Sequence, residues 1–172
     1  KENINFFAQG VMPATYFEGN LLRASQDSLA LSPNGHGGSL KALIDSGSVA
    51  DMAMKGIEHV SYFQVDNPLV STINPLFIGL HDLQKSDMSS RSLTKTGPFE
   101  KLGNFVSIGD RITIIEYSDL PEEKALEKED DGRIKYRAGS PAIHVLRRDF
   151  IEQFASGEIK LPYHRAEKKV PY

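Results

Sequence analysis

The sequence contains no cysteine. That absence excludes a disulfide framework and zinc sites built on thiolates. The five histidines show neither the H-x-x-x-H nor the H-E-x-x-H spacing that places two imidazoles on one metal ion. The sequence therefore predicts neither disulfide cross-links nor a zinc centre.

Long apolar runs and basic clusters are missing as well. No stretch approaches the ~20 apolar residues that a membrane helix needs, and the first residues lack the apolar core of a signal peptide. The formal net charge is −3 at pH 7, which disfavours a surface for nucleic acid. We expect a soluble, cytoplasmic protein that binds a small molecule, with no membrane and no nucleic acid as partners.

The composition is that of an ordinary globular domain, with 172 residues of which 40% are hydrophobic and 25% charged. We expect a single domain over residues 1–172. Strand-like runs alternate with helix-like runs, which predicts an α/β fold with a largely parallel sheet. The chain begins without Met and enters the apolar run from Ile4 to Phe7 almost at once. We expect a strand there, and a chain trimmed from a longer one.

Periodicity and turn residues predict the other elements. Helices are predicted over residues 39–44, 49–55, 73–84, 118–127 and 148–155. Strands are predicted over residues 59–65, 105–108 and 112–117, and extended structure broken at residues 139–141 is predicted over residues 134–146. In the third of these helices, Leu76, Leu80 and Leu83 fall on one stripe. Gly109 and Asp110 form a two-residue link that is typical of a hairpin.

A glycine-rich loop, Ser-Pro-Asn-Gly-His-Gly-Gly at residues 32–38, leads into a predicted helix. Glycines let backbone N–H groups approach a ligand closely, and the start of a helix favours electron-rich groups. The loop matches neither the dinucleotide-binding pattern nor the P-loop pattern. It predicts either a ligand-binding loop or a simple turn into the helix.

Three further positions allow two interpretations each. Asp66 follows a predicted strand, where a carboxylate can hold a divalent cation bound to ligand phosphates, although Asp-Asn-Pro is also typical of an Asx turn. Glu116 follows an apolar run and could accept hydrogen bonds from sugar hydroxyls, or cap a neighbouring backbone. His144 lies in an apolar strand, which favours a hydrogen-bonded core histidine over a catalyst.

These motifs occur in an order that resembles UDP-N-acetylglucosamine pyrophosphorylases and their UDP-sugar pyrophosphorylase relatives over nearly the whole chain. The segments that carry the resemblance are Phe6-Phe7-Ala8-Gln9-Gly10, residues 32–38, Val65-Asp66-Asn67-Pro68-Leu69, Pro98-Phe99-Glu100-Lys101-Leu102-Gly103, Glu116-Tyr117-Ser118, Ala138-Gly139-Ser140 with His144, and the run from His164 to Tyr172.

The resemblance implies uridylyl transfer, in which a sugar 1-phosphate oxygen attacks the α-phosphorus of UTP and pyrophosphate leaves. Mg²⁺ is the implied cofactor, because it spreads the developing charge, and positioning does most of the remaining work. The implied fold is a three-layer, Rossmann-like nucleotide-diphospho-sugar transferase (GT-A-like) domain with a mixed sheet. This chain would be the central part of that domain.

By the same resemblance, Gln9 would bind the uracil edge, because its side-chain amide offers a donor and an acceptor side by side. Gly35 would donate a hydrogen bond to the same base from its backbone N–H. His36 stands where the acetylglucosamine enzymes have Asn, near the ribose and sugar. Asp66 would be the catalytic carboxylate beside the phosphates, either as a metal ligand or as a residue that positions the ribose and phosphates.

The sugar would be held by Gly103, through its backbone, together with Glu116 and Ser140. Ser140 stands where the acetylglucosamine enzymes have a second Asn. Because His36 and Ser140 both differ from that pattern, N-acetylglucosamine is less strongly indicated. The residues leave glucose, galactose, N-acetylglucosamine and N-acetylgalactosamine 1-phosphates open.

The resemblance also implies an absence, since the family's Gly-rich phosphate loop would precede Lys1 and a phosphate-binding lysine would follow Tyr172. We expect residues 1–172 alone to be inactive, because positioned charge of this kind contributes several kcal/mol to catalysis. A trimmed domain would expose apolar surface and could self-associate. The rival interpretation is a non-catalytic nucleotide-sugar-binding or interaction module.

Overall fold

The computed structural model describes residues 4–156, 161, 164, 165 and 167 of the chain. Two compact units are present: the first comprises Lys1–Glu58 and Arg148–Tyr172, and the second comprises His59–Arg147. The single domain expected over residues 1–172 stays a prediction. The end of the chain that carries the last family motif lies largely outside the described residues, as does Lys1.

Short strands and helices alternate along the described residues. The strands are β1 Val11–Pro13, β2 Leu31–Pro33, β3 His59–Tyr62, β4 Met88–Ser90, β5 Leu93–Thr94, β6 Gly103–Ile108, β7 Arg111–Ile115, β8 Ala138–Ser140 and β9 His144–Arg147. The helices are α1 Gly35–Asp45, α2 Ser48–Met54, α3 Pro75–Leu83, α4 Glu122–Ala125 and α5 Arg148–Ser156.

The first unit contains a two-stranded antiparallel ribbon of β1 and β2 and a group of three helices. Val11 pairs with Pro33 in the ribbon. The helices α1, α2 and α5 pack against one another, with Ile151 of α5 fully buried at 0% exposure. On the same helix the rings of Phe150 and Phe154 meet edge to face, 5.4 Å apart. The helix predicted at residues 148–155 is confirmed.

The second unit contains two sheets. In the three-stranded sheet β9 lies between β3 and β4 and is antiparallel to both. Val145 and Leu146 of β9 are 2% and 3% exposed, so this central strand contributes buried residues to the core of the unit. Helix α3 packs against it. The four-stranded sheet has the order β5-β8-β6-β7. Its β6–β7 hairpin turns at Gly109, whose φ of 59° suits the first central position of a type II′ turn.

The prediction of a largely parallel sheet is wrong for the residues that the structure describes, where every strand pairing is antiparallel. In the three-stranded sheet the cause lies in β9. Strands β3 and β4 do run in the same direction, with α3 between them in sequence, as in a parallel βαβ unit. However, β9 comes from much later in the chain and inserts between them.

Two other predictions also need correction, and the exposure of the α3 leucines was not predicted. Residues 4–7 are irregular and exposed rather than a strand. The helix predicted at residues 118–127 shortens to α4, because Pro121 is its N-cap and a proline keeps the residue before it out of the helical region. The leucine stripe of α3 faces solvent, with Leu76 72% and Leu83 75% exposed, whereas His81 is the buried residue of that helix.

Among the residues with described structure, no helix is both long and apolar enough to cross a membrane.

Candidate functional site

The ribbon of the first unit brings Gln9 to the glycine-rich loop. Because Val11 pairs with Pro33, continuing this antiparallel register by two residues places Gln9 opposite Gly35. Gln9 Nε2 donates a hydrogen bond to Asn34 Oδ1 at 3.0 Å and another to the Gly35 carbonyl oxygen. The two residues predicted at the uracil edge are therefore in direct contact, although 26 positions separate them.

The Asn34 side chain occupies a space that two glycines leave open. A Cβ atom on Gly10 would lie 2.8 Å from Asn34 Nδ2, and a Cβ on Gly38 would overlap the same amide. The Asn34 backbone N–H also donates to the Gly10 carbonyl oxygen at 3.1 Å. Position 35 requires glycine for a different reason, since its φ of 79° is unfavourable for residues that carry a Cβ atom.

Asn34 is also the N-cap residue of α1, yet its side chain makes no capping hydrogen bond. Asparagine usually accepts a hydrogen bond from the first turn of the helix at this position. Here its oxygen accepts from Gln9 instead. The Asn34 side chain therefore does not cap the first-turn N–H groups of α1, and N–H groups at a helix start favour electron-rich partners. His36, in that first turn, is exposed.

A hollow of about 400 Å³ adjoins this loop within the first unit. Its lining includes Asn34, which accepts the hydrogen bond from Gln9, together with Phe7, Gly10 and Gly38. The lining also includes Lys41, whose Nζ lies 2.7 Å from Asp45 in an exposed ion pair. An exposed pair of this kind contributes little to stability.

The second unit aligns the three predicted sugar-binding residues across adjacent strands. Gly103 of β6 pairs with Ser140 of β8. Asn104 pairs with Ile115 on the other side, which places Gly103 opposite Glu116. A Cβ on Gly103 would lie 3.8 Å from both Glu116 Oε1 and Ser140 Cβ, and 2.7 Å from Ile114 Cγ2. A row from Ser140 through Gly103 to Glu116, which we call the sugar row, thus lies at one level of the sheet.

Asp66 lies apart from any cluster of potential metal ligands. It is exposed, in a turn that follows β3 by a few residues. The Asx turn considered for this segment is present, because Asn67 Oδ1 accepts a hydrogen bond from the Leu69 N–H at 3.3 Å. Within the described part of the chain, no three His, Asp or Glu residues are grouped closely enough to hold a metal ion.

The buried pair of Lys95 and Asn104 was missed by the sequence reasoning. Their exposed fractions are 5% and 0%. Lys95 Nζ donates to Asn104 Oδ1 at 2.7 Å and to the Pro98 carbonyl oxygen at 3.1 Å, and Asn104 Nδ2 donates to the Ile115 carbonyl oxygen at 3.2 Å. Burial lowers the pKa of Lys95, and the charge of Glu100 offsets part of that effect. A lysine between a strand and a Thr-Gly-Pro turn gave no signal of burial, because lysine is almost never fully buried unless it is paired.

His144 is a core residue, as expected. It is 9% exposed, its Nδ1 lies 2.8 Å from Ser90 Oγ, and its ring stacks on that of Tyr62 with centroids 5.8 Å apart.

The predicted site residues thus form two groups, each within one unit. Gln9 and Gly35 are in contact in the first unit, with His36 beside them in sequence. The sugar row belongs to the second unit, as does Asp66. The roles of these residues are proposals.

The family model described as "UTP--glucose-1-phosphate uridylyltransferase" matches residues 1–169 of this chain. Two curated relatives align over the same range. A Schizosaccharomyces pombe protein named "Probable UDP-N-acetylglucosamine pyrophosphorylase" is 37% identical over 175 residues, which cover 100% of this chain and 37% of that protein. The UDP-N-acetylglucosamine pyrophosphorylase of Saccharomyces cerevisiae is 33% identical over 177 residues, which cover 99% of this chain and 36% of that protein.

A solved structure is similar as well. The crystal structure of an Entamoeba histolytica protein assigned as a UDP-N-acetylglucosamine pyrophosphorylase superposes with a TM-score of 0.82 at 36% identity, covering 99% of this chain and 42% of that one. The chain therefore spans little more than a third of the length of the curated relatives that it matches.

Proposed function

Since this chain belongs to the UTP–glucose-1-phosphate uridylyltransferase family, we propose that the protein carrying it transfers a uridylyl group from UTP to a sugar 1-phosphate. An oxygen of the sugar 1-phosphate forms a new bond to the α-phosphorus of UTP. The bond from that phosphorus to the β-phosphate oxygen breaks, so the products are a UDP-sugar and pyrophosphate. The observation that carries the proposal is the sugar row, in which three residues distant in sequence share one level of a sheet.

Gln9 and Gly35, which are in contact with each other, bind the uracil base of UTP. A primary amide presents a donor and an acceptor that complement the edge of uracil. Gly35 gives the base a backbone N–H at a position where a Cβ would be strained. His36 is assigned to the ribose and sugar. On binding, the base takes over hydrogen bonds that Gln9 makes to Asn34 and Gly35 in this structure.

The residues of the sugar row bind the sugar. The Glu116 carboxylate accepts hydrogen bonds from sugar hydroxyls, the Gly103 backbone approaches the ring closely, and Ser140 adds a hydroxyl that can donate or accept. The relatives' names indicate N-acetylglucosamine 1-phosphate, whereas the family description indicates glucose 1-phosphate. We propose a hexose 1-phosphate, with these two as the first substrates to compare.

We propose that Asp66 binds a divalent cation that arrives with UTP, and that this cation is Mg²⁺. Mg²⁺ is commonly held by one or two carboxylates together with substrate phosphates. A single exposed carboxylate therefore fits it, whereas it would not fit a permanent all-protein metal site. When bound, the cation neutralises charge that develops on the phosphates. The chain's own part is to position the reactants.

Several finer assignments complete the proposal. The fold is that of a GT-A-like nucleotide-diphospho-sugar transferase, and the strong structural similarity to the Entamoeba protein supports it. The protein acts in the cytoplasm. Residues 1–172 alone turn over no UTP, which a turnover assay of this chain tests directly.

Self-association of residues 1–172 is proposed from the exposed stripe of α3. Leu76 and Leu83 are 72% and 75% exposed, and Leu80 is 50% exposed. Contiguous apolar surface of this kind favours association. Light scattering that shows a monomer at all concentrations would remove this proposal.

The central experiment measures pyrophosphate release by the full-length product of the gene that encodes these residues, with UTP and each of the four sugar 1-phosphates. Substituting Glu116→Gln should lower kcat/KM about 10- to 100-fold, which corresponds to the loss of one charge-assisted hydrogen bond of ~1.5–3 kcal/mol. The matched control Glu123→Gln, on the exposed surface of α4, should leave kcat/KM unchanged.

Two outcomes would contradict the proposal. Calorimetric binding of a UDP-sugar without any pyrophosphate release would favour the non-catalytic module. Equal kcat/KM for the Glu116→Gln protein and the unsubstituted protein would remove Glu116 from the sugar site.

A further inference from the structure

A buried polar bridge lies one residue along the strands from the sugar row. Next to Gly103 and Glu116 come Asn104 and Ile115, which are also register partners. Successive residues of a strand point to opposite faces of the sheet. The Asn104 side chain therefore lies on the face opposite to the side chains of Glu116 and Ser140. It is fully buried there, with 0% exposure.

The bridge connects three parts of the chain. Lys95 Nζ donates to Asn104 Oδ1 at 2.7 Å, and Asn104 Nδ2 donates to the Ile115 carbonyl oxygen at 3.2 Å. That carbonyl belongs to the peptide bond that leads into Glu116. A cation is thus linked through one amide to the backbone beside Glu116, and the same amide belongs to the residue that follows Gly103.

The path of Lys95 to this position is itself constrained. A Cβ on Gly139 would lie 3.1 Å from Lys95 Cγ and 3.0 Å from Leu102 Cδ1, so the lysine stem passes over a glycine that cannot become larger without displacing it. Beyond the lysine, Glu100 Oε2 accepts hydrogen bonds from the Thr96 N–H at 2.6 Å and from Thr96 Oγ1 at 2.9 Å. These contacts close the loop that contains Pro98, the second acceptor of the Lys95 ammonium group.

A buried lysine is costly unless hydrogen bonds compensate for its lost hydration. Stability alone does not require one, because an apolar side chain of similar size could fill the same space. A rigid network of this kind instead fixes the geometry of whatever lies beside it. What lies beside it here is the junction of Gly103 and Glu116.

We propose that Lys95, acting through Asn104, is a positioning residue that sets the spacing between Gly103 and Glu116 and thereby controls how well the site binds the sugar 1-phosphate. This inference rests on the proposed function of the sugar row. It adds two residues that do not touch the substrate, and it predicts that their loss affects the sugar 1-phosphate more strongly than UTP.

The test uses the full-length gene product with the substitution Lys95→Met, which keeps the length of the stem and removes the donors. The expected result is a rise of at least about tenfold in KM for the sugar 1-phosphate, with less than a twofold change in KM for UTP. Selectivity between glucose 1-phosphate and N-acetylglucosamine 1-phosphate should also shift. The matched control is Lys101→Met, at an exposed lysine of the same loop, which should leave both KM values unchanged.

A second variant decides the matter if the Lys95→Met protein does not fold. Asn104→Asp retains a partner for the lysine but replaces the amide donor with an oxygen that repels the Ile115 carbonyl. The same selective rise in KM for the sugar 1-phosphate is expected.

A purely structural role would give a different result. Unfolding at lower temperature with both KM values unchanged, in whichever variant folds, would overturn the inference. An equal rise in both KM values would overturn it as well. If the unsubstituted protein releases no pyrophosphate with any sugar 1-phosphate, the proposed function fails instead, which distinguishes the two failures.

Discussion

The side-chain amide of Asn34 occupies the position that a methyl group on Gly38 would need. An ideal Cβ on Gly38 would overlap Asn34 Oδ1, the atom that accepts the hydrogen bond from Gln9. The third glycine of the loop therefore serves a different purpose from the first. Gly35 supplies a positive φ, whereas Gly38 supplies space for the amide that fixes Gln9.

Substituting Gly38→Ala should displace Asn34 and release Gln9. We expect a destabilisation of roughly 1–3 kcal/mol, as for overpacking of a well-packed site, measured by urea unfolding. The matched control is Gly79→Ala in α3, where a Cβ would meet no atom of the described residues within 4 Å. That change should be neutral or stabilise by about 0.5–1 kcal/mol, because alanine is the better helix former. Equal effects of both substitutions would contradict the packing argument.

Substituting Gly103→Ala should damage the sugar row. The new Cβ would lie 2.7 Å from Ile114 Cγ2, and the stiff, β-branched Ile114 on a paired strand has little freedom to move. We expect a higher KM for the sugar 1-phosphate in the full-length gene product, together with a loss of roughly 1–3 kcal/mol in stability.

The control for this substitution is Gly97→Ala, because a Cβ there would have no atom within 4 Å in the part of the chain that the structure describes. It should leave KM unchanged. An unaltered KM in the Gly103→Ala protein would show that the Gly103 backbone does not approach the sugar.

Local features of the fold could be predicted from the sequence. The Gly109-Asp110 link between two apolar runs predicted the β6–β7 hairpin, because turn residues fix both the turn and the register of the flanking strands. The helix at residues 148–155 was equally local, since the spacing of Phe150, Ile151 and Phe154 alone defines its buried face.

Features that depend on distant pairing could not be predicted. The insertion of β9 between β3 and β4 joins segments that are far apart in sequence, and no periodicity records which strand will lie in the middle of a sheet. Burial of Lys95 depends on Asn104 and Pro98 together, and none of the three indicates it alone. The site residues themselves came from a family resemblance, and what the structure adds is the contact of Gln9 with Gly35 and the alignment of Gly103 with Glu116.

The turn at residues 129–134 should contain a strongly acidic carboxyl group. Hydrogen bonds from Arg133, first from its side chain and then from its backbone, lower the pKa of Asp131 to about 2. A carbon-detected NMR titration of the Asp131 carboxyl should show this value. Substituting Arg133→Gln removes the guanidinium and should move the pKa back toward its ordinary 3.8. A midpoint that does not move would show that Arg133 is not the cause.

His81 should make the stability of the protein depend on pH. The residue is 1% exposed, and its Nδ1 lies 2.8 Å from Ser89 Oγ. Its Nε2 is buried, and no described residue forms a hydrogen bond with it. Burial is the largest cause that lowers the pKa of His81 below 6.5. The charges of His59 and Arg147 add to this effect, and those of Asp82 and Asp87 oppose it. The folded state therefore resists a proton that the unfolded state accepts.

The sign of the effect follows from this difference in proton binding. Well above pH 6.5 neither state binds the proton, and the contribution of His81 to the free energy of unfolding is constant. Below pH 6.5 the unfolded state binds more protons, so stability falls, with a slope of at most about 1.4 kcal/mol per pH unit. Urea unfolding at a series of pH values from about 8 to about 5 should show this decline, because that range spans the titration of a histidine side chain.

Two variants separate His81 from other groups that titrate in the same range. Substituting His81→Asn removes the ionisation and should flatten the decline, even if it lowers stability at every pH. Substituting Ser89→Ala removes the hydrogen-bond partner but keeps the buried imidazole, and should retain the slope. A decline that persists unchanged in the His81→Asn protein would assign it to another group and contradict the role given to the buried imidazole.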